Sequence, residues 1–478
     1  MKYLKSILPA IVILINISIA KAQTADTSLT LQQCLDIAIK NNLLVKQSEI
    51  QMETARISYQ QARENMLPTI NGMVDHTISD GRSINSYTNG YVNQAITSAT
   101  YNLSSSLVLS NGLTLQNSVK QTSLAYQAGQ MDFQQAKDNL TLNIITAYLQ
   151  VLDSEDQLTQ ANTQAGVSLQ QEKRLETLDK DGAIPPSQLS DLKGQLATDQ
   201  LAVVDAKNTL ALNKLNLLQL LNVPYNKNVK FQRSLADQLP VEYTASADEI
   251  YSKALSDLAL VKSTTLRRES AEKGVAVAKG ALLPSISLSG GLGTNYSSAA
   301  TRSVFADSSV VRTGEFINTA GGGRQSVYTV AQNYNTPTIN YGDQFKNNYS
   351  SSITLGVSIP ILNYFQNKNK VTLAKLNLEG AKYVEQNTRI QLRASIDQAY
   401  ASMSAAYERY KLLINQVDAF TESFRIAQIR FNDGVLTSVD FLVVKGNLDK
   451  AKTNLISGRY DYLIRTKILD YYQSRLSF

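Results

Sequence analysis

The sequence has no tryptophan, a single cysteine, a single histidine and only nine prolines in 478 residues. Cys34 alone cannot form an internal disulfide. With His76 and Cys34 the sole members of their kinds, the sequence argues against a zinc site of ordinary ligand count and against a Cys/His dyad. Gly290-Gly291-x-Gly293 sits in an alternating strand pattern, not ahead of a helix, so it is not a phosphate loop. The expectation is a protein that is not an enzyme and needs no cofactor or metal. Beyond residues 7–20 no apolar run reaches the ~18 residues of a membrane-spanning helix. A membrane crossing would have to be a β-barrel. The formal charge of +6 falls to about +3 without Lys2, Lys5 and Lys21, too little to argue for nucleic acid or anionic lipid.

Residues 1–22 have the form of a secretory signal. Lys2 and Lys5 precede the apolar run, and Ala20-Lys21-Ala22 is a small-x-small cleavage site. Cys34 lies beyond it in a helical pattern and reads as a buried thiol.

The rest is written twice. Ala38 to Lys46 and Leu67-Pro68 return 216 positions later as Ala254 to Lys262 and Leu283-Pro284. Further on the offset is 252: Ala147-Tyr148 matches Ala399-Tyr400, and Lys193-Gly194-Gln195-Leu196 matches Lys445-Gly446-Asn447-Leu448. A duplication of this length implies two similar units about a pseudo-two-fold, with the 36 additional residues of the second copy in a tolerant loop. The divisions are 23–221 for the first repeat, 222–247 for a linker with Pro224 and Pro240, and 248–478 for the second repeat. The insertion falls in an extended Ser/Asn/Gly/Tyr-rich loop over about 297–349.

Each repeat reads as helix, two strands, then a long helical hairpin. A helix from Leu29 to Asn65 opens at Thr30, breaks near Asn41-Asn42 and ends at Pro68. Apolar residues at Leu140, Ile144, Tyr148 and Val151 mark a proline-free helix to Lys180, roughly 90 Å long. Asp181-Gly182-Ala183 reverses the chain and Ser187 is the expected N-cap of the return helix. The second copy reverses at Asn432-Asp433-Gly434.

In the strands one face is apolar and the other small and polar. Ile353, Leu355, Val357 and Ile359 alternate with Ser352, Thr354, Gly356 and Ser358, the pattern of lipid outside and water inside. Four strands cannot close a barrel, and an open edge in lipid leaves backbone groups unpaired. The barrel must be shared, by three chains for twelve strands or by two for eight. A soluble hairpin capping a helical bundle and an exported trimeric coiled-coil scaffold or adhesin without a channel are the alternatives. Outer-membrane fractionation and bilayer conductance separate them.

The chain resembles the TolC-type outer membrane efflux family over its mature length. The resemblance is carried by Leu31-x-x-Cys34-Leu35-x-x-Ala38-x-x-x-Asn42, the two Leu-Pro junctions and the turn from Phe431 to Leu442. It implies a mainly α protein with a small β part: a homotrimer whose helical hairpins form an α-barrel and whose four strands per chain join a shared twelve-stranded transmembrane β-barrel. It also implies an outer membrane location with a large periplasmic part. The partners would be outer membrane lipid, a periplasmic adaptor (membrane fusion) protein and an inner-membrane transporter of the RND or ABC type. The function would be a passive exit duct of tripartite efflux or type I secretion. Gly182, Ala183, Gly434 and Val435 match adaptor-docking tips, and Asp440 matches an acidic ring at the periplasmic mouth. A second acid one turn on is Val443 here. The tyrosine and arginine that tie the tip in other members are Phe431 and Leu436, and their acid partner is Gln188, with Asp191 nearby. Closure through Phe431, Leu436 and Phe441 is expected in place of an ionic latch.

Overall fold

The structure, a computed structural model, describes residues 28–84, 89–233 and 240–475. The signal segment 1–22 lies outside them. Two compact units emerge, one from residues up to 56, 124–268 and 380 onward, the other from 57–123 and 269–379. Among the described residues no helix is long and apolar enough to cross a membrane.

The first repeat begins with β1 (Ser28–Leu29), α1 (Leu31–Asn41) and α2 (Leu43–Glu64). Strands β2 (Thr69–Ser79), β3 (Arg82–Ile84), β4 (Tyr91–Asn93) and β5 (Ile96–Asn111) follow, then α3 (Thr114–Lys180) and α4 (Pro186–Leu220). After β6 (Lys230–Phe231) the second repeat runs α5 (Ala247–Asp257), α6 (Ala259–Gly280), β7 (Ser285–Ser297), β8 (Val304–Asn318), β9 (Arg324–Asn335), α7 (Tyr341–Asn347), β10 (Ser350–Ser358), α8 (Gln366–Asn432) and α9 (Ser438–Tyr472). Equivalent helices have equal lengths: 11 and 11, 22 and 22, 67 and 67, 35 and 35 residues.

The duplication extends to helix ends. Thr30 and Gln33 form a capping box on α1, and Ser246 and Glu249, each 216 positions on, form one on α5. Both paired helices break at one extended residue, Asn42 and Leu258. Asn42 accepts from Leu44 N at 2.9 Å, supplying the cap for the next helix. Leu258 has no acceptor in its side chain. Gln135 Oε1 takes that role from α3, accepting from Leu260 N at 3.1 Å. One backbone break is thus satisfied locally in one copy and by tertiary contact in the other.

The core of the first unit follows the same duplication. Cys34, Leu35 and Ala38 pack with Leu140, Ile144 and Tyr148, and Ile250 and Ala254 pack with Leu392 and Ile396. Cys34 and its equivalent Ile250 are both fully buried, and burial pushes the thiol up to about 12. Cys34 therefore acts as a small apolar core residue. The linker is held at this core: β6 pairs in parallel with β1, and Tyr148 Oη donates to Gln232 O at 2.6 Å.

In the second unit β10, β7, β5 and β2 form one antiparallel sheet in that order. Its register brings the apolar sides together. Ile70, Val74 and Ile78 share a face with Tyr101, Leu103 and Leu107, with Ile286, Leu288 and Leu292, and with Ile353, Leu355 and Val357. Asn71, Asp75, Asn102, Ser104, Ser289 and Thr354 lie on the other face. Met73, Ile96 and Val108 are the exceptions on the polar side.

Two expectations need correction. The 297–349 segment is not a loop: β8 and β9 make a long antiparallel hairpin, and α7 packs on β7. Gln344 is buried and bonds both Ser297 N and Ser297 O, which fixes α7 at the base of the insertion. Nor does Ser187 cap its helix. Pro185 holds the N-cap position without a side-chain bond, and Pro186 begins α4, where a missing N–H leaves no helical bond unmade.

Candidate functional site

The site lies where the two helical hairpins of the chain turn. Gly182 and Gly434 have φ of 69° and 70°, a left-handed conformation that an ordinary side chain resists. Each closes its helix by the same pair of bonds: Ala183 N to Leu178 O with Gly182 N to Asp179 O, and Val435 N to Arg430 O with Gly434 N to Phe431 O. Gly182, Ala183, Gly434 and Val435 are all exposed.

Behind the turns is a small core of Leu175, Leu189, Leu192, Phe431 and Phe441, joined by Leu178, Ile184, Phe424, Leu436 and Leu442. Phe431 and Phe441 stack with centroids 4.4 Å apart and planes at 11°. Both are buried within one chain. Leu436 is half-buried against the same core. The three join the two hairpins of a single chain.

Polar contacts reinforce that junction. Asp191 accepts from Ser438 Oγ at 2.8 Å. Arg174 donates to Asn432 Oδ1 at 2.6 Å and also to Asn432 O. Asp440 is exposed in the first turn of α9. Its Oδ2 accepts from Thr437 Oγ1 at 2.7 Å, and its N–H donates back to that hydroxyl. Its carboxylate is oriented by a local cap and faces solvent. Gln188 is half-buried at the start of α4. Of the two acids expected near the gate, Asp440 is exposed and Asp191 is bound to Ser438.

A second polar group was not found from the sequence. Lys445 Nζ lies 2.9 Å from Asp199 Oδ2 and 2.6 Å from Asp449 Oδ2. Asp199 also accepts from Ser168 Oγ and from Gln195 Nε2. These residues come from α3, α4 and α9, so the group ties both hairpins together. Burial raises the Asp449 carboxyl, against the lowering effect of Lys445. A signal for it existed: Lys445 follows Phe441 by four and precedes Leu448 by three, which puts a lysine on the apolar stripe. Its equivalent Lys193 is exposed.

This architecture is shared with solved outer membrane channels. The chain superposes on the Campylobacter jejuni CmeC channel with a TM-score of 0.73 at 18% identity, covering 93% of this chain and 86% of that one. It superposes on the open state of the Neisseria gonorrhoeae MtrE channel with a TM-score of 0.72 at 17% identity, covering 93% and 88%. The chain belongs to the outer membrane efflux protein family, whose model matches residues 34–223 and 250–470. It is 23% identical to the outer membrane protein TolC of Escherichia coli over 472 residues, 96% of this chain and 85% of the relative.

Proposed function

We propose that the protein is the outer membrane exit duct of a tripartite efflux or type I secretion system. Three copies share a twelve-stranded barrel, and cargo delivered by an inner-membrane transporter and a periplasmic adaptor passes through passively. The observation that carries the reading is the sheet: one apolar face, one polar face and two unpaired edges, in a chain of this family. A sheet of that kind is stable in lipid only when further copies complete it.

The exposed turns at Gly182-Ala183 and Gly434-Val435 are the adaptor contacts in this reading. Their fixed left-handed glycines present backbone groups that a second protein can approach closely. Asp440 sets the charge of the periplasmic mouth, because three copies of one carboxylate around an axis attract cations and repel anions. Gln188 and Asp191 stand at the same end of α4. Phe431, Leu436 and Phe441 hold the second hairpin at the angle that places Asp440.

The test is reconstitution. The purified protein in planar bilayers should give discrete conductance steps, and cell fractionation should recover it with outer membranes. An outer membrane protein that never conducts would leave a scaffold and overturn the duct.

A further inference from the structure

The sheet contains a template for its own completion. Every pair between β7 and β10 is the image of a pair between β2 and β5 when 216 is added on the first strand and 252 on the second: Ile70–Ser105 becomes Ile286–Val357, and Gly72–Leu103 becomes Leu288–Leu355. The hairpins are therefore structural copies, joined within the chain by the β5–β7 seam. The other edges, β2 and β10, are on opposite sides of the four-stranded sheet and cannot meet in one chain.

From the β5–β7 seam we infer the residue register between chains: β10 pairs antiparallel with β2 of a second copy, Val357 opposite Val74 of the partner subunit. The inference rests on the shared-barrel reading above. Ser105 opposes Gly290 within the chain; adding 252 to the first and subtracting 216 from the second gives Val357 and Val74. The same operation on Leu103–Leu292, Tyr101–Thr294 and Ser106–Ser289 places Leu355 opposite the partner's His76, Ile353 opposite the partner's Ile78, and Ser358 opposite the partner's Met73.

Three observations support this register. The first is parity. Ile353, Leu355 and Val357 share the apolar face with Val74 and Ile78, and the inferred pairs keep that face continuous across the seam. A slip by one residue would turn the face over. The second is stagger. Gly72 aligns through Leu103 with Leu292, four positions beyond its own equivalent Leu288. A closed barrel needs consistent stagger, and repeating the in-chain value at the open seam makes every junction equivalent.

The third is the strand-to-helix junction. Gly112 and Leu113 both have positive φ, 64° and 63°, and so do their equivalents Tyr364 and Phe365, 51° and 57°. Within the chain Gly112 rests on the end of α6, where a Cβ would stand 2.4 Å from Gly280 O and 2.7 Å from Leu283 Cβ. The equivalents of Gly280 and Leu283 are Glu64 and Leu67. In the lone chain Tyr364 is 91% exposed, Phe365 61% and Leu67 63%. Bulky residues in the left-handed region are strained. Here they present apolar rings that the partner's Leu67 covers. With Tyr364 and Glu64 replacing the two glycines, the backbones stay farther apart than at the in-chain junction.

Cysteine pairs read the register directly, because a disulfide requires Cα atoms about 4.4–6.8 Å apart and diagonal neighbours in a sheet are about 7–8 Å apart. Native Cys34 is buried and stays in place. On mild oxidation of the assembled protein, Val74→Cys/Val357→Cys and Met73→Cys/Ser358→Cys should form dimer and trimer bands on non-reducing gels. Gly72→Cys/Val357→Cys and His76→Cys/Val357→Cys should give roughly tenfold less. The two inferred pairs lie on opposite faces, so one of them has the closer side-chain geometry. Stronger linking by either control, or none by any pair, in a protein of trimeric mass by light scattering overturns the register and leaves the trimer. A monomeric mass for the unsubstituted protein overturns the shared barrel itself.

Discussion

Lys445 Nζ lies 2.9 Å from Asp199 Oδ2, and each side chain is less than a tenth exposed. The pair joins α9 to α4, and Asp449 and Ser168 complete its surroundings. A buried ion pair is not in itself a source of stability. It becomes decisive when one member is removed and the other is left charged in a low-dielectric setting.

Lys445→Met should therefore destabilise the chain by about 3–5 kcal/mol, since Asp199 and Asp449 lose their common cation. Lys445→Met combined with Asp199→Leu should recover part of that loss, because one uncompensated carboxylate is gone. Thermal unfolding followed by the helical circular dichroism signal checks both. A double variant less stable than the single one would show that the group is not acting as a charge pair.

Glu385 provides a pH test. Thr265, Arg268 and Arg389 bond its carboxylate at 2.8–2.9 Å. Burial acts to raise this carboxyl, but the bonds from Thr265 and Arg389 and the charge of Arg268 outweigh it and hold it below the ordinary 4.5. The stabilisation is thus present above about pH 4.5 and is lost as pH falls through the lowered value. Glu385→Gln should lower stability at pH 7 by about 1–3 kcal/mol. The gap from the native protein should narrow in acid, and a gap independent of pH would rule out the carboxylate as its cause.

At Asp440 charge and capping can be separated. Asp440→Asn keeps an acceptor for Thr437 and, in the proposed trimer, removes three negative charges from the mouth. Reversal potentials in salt gradients should show cation preference falling several-fold while the helical signal is unchanged. Unaltered selectivity would place the carboxylate away from the ion path.

The two faces of β10 should respond oppositely. Leu355→Arg puts a charge on the apolar side and should cost about 2–4 kcal/mol of membrane stability near mid-depth. Thr354→Arg, one residue away on the polar side, should fold normally and change conductance. Heat resistance on gels and single-channel traces distinguish the two, and equal tolerance would mean that neither face meets lipid.

Much of this fold was legible because its signals are local or repeated. Thr30 with Gln33, the break at Asn42, and the glycines 182 and 434 each carry their geometry in a few consecutive residues. Other features were not. Polar alternation with bulges over 304–335 looks like loop composition, yet backbone pairing needs no apolar face to form a hairpin. Phe431 and Phe441 are ten positions apart, and no periodicity says whether such rings face each other or another chain. Only the crossing of α8 and α9 stacks them.

The sequence by itself determined the duplication, the lengths of the helices and the two-faced character of each strand, because periods of 3.6 and 2 are properties of neighbouring residues. Tertiary structure decided which partner each patterned face meets. It buried Lys445 among acids while leaving its twin Lys193 in water, and it supplied Gln135 where Leu258 could not cap. It also set the stagger of one hairpin on the next. Those outcomes depend on groups scores to hundreds of positions apart, whose approach is fixed by packing and backbone pairing and not by local pattern.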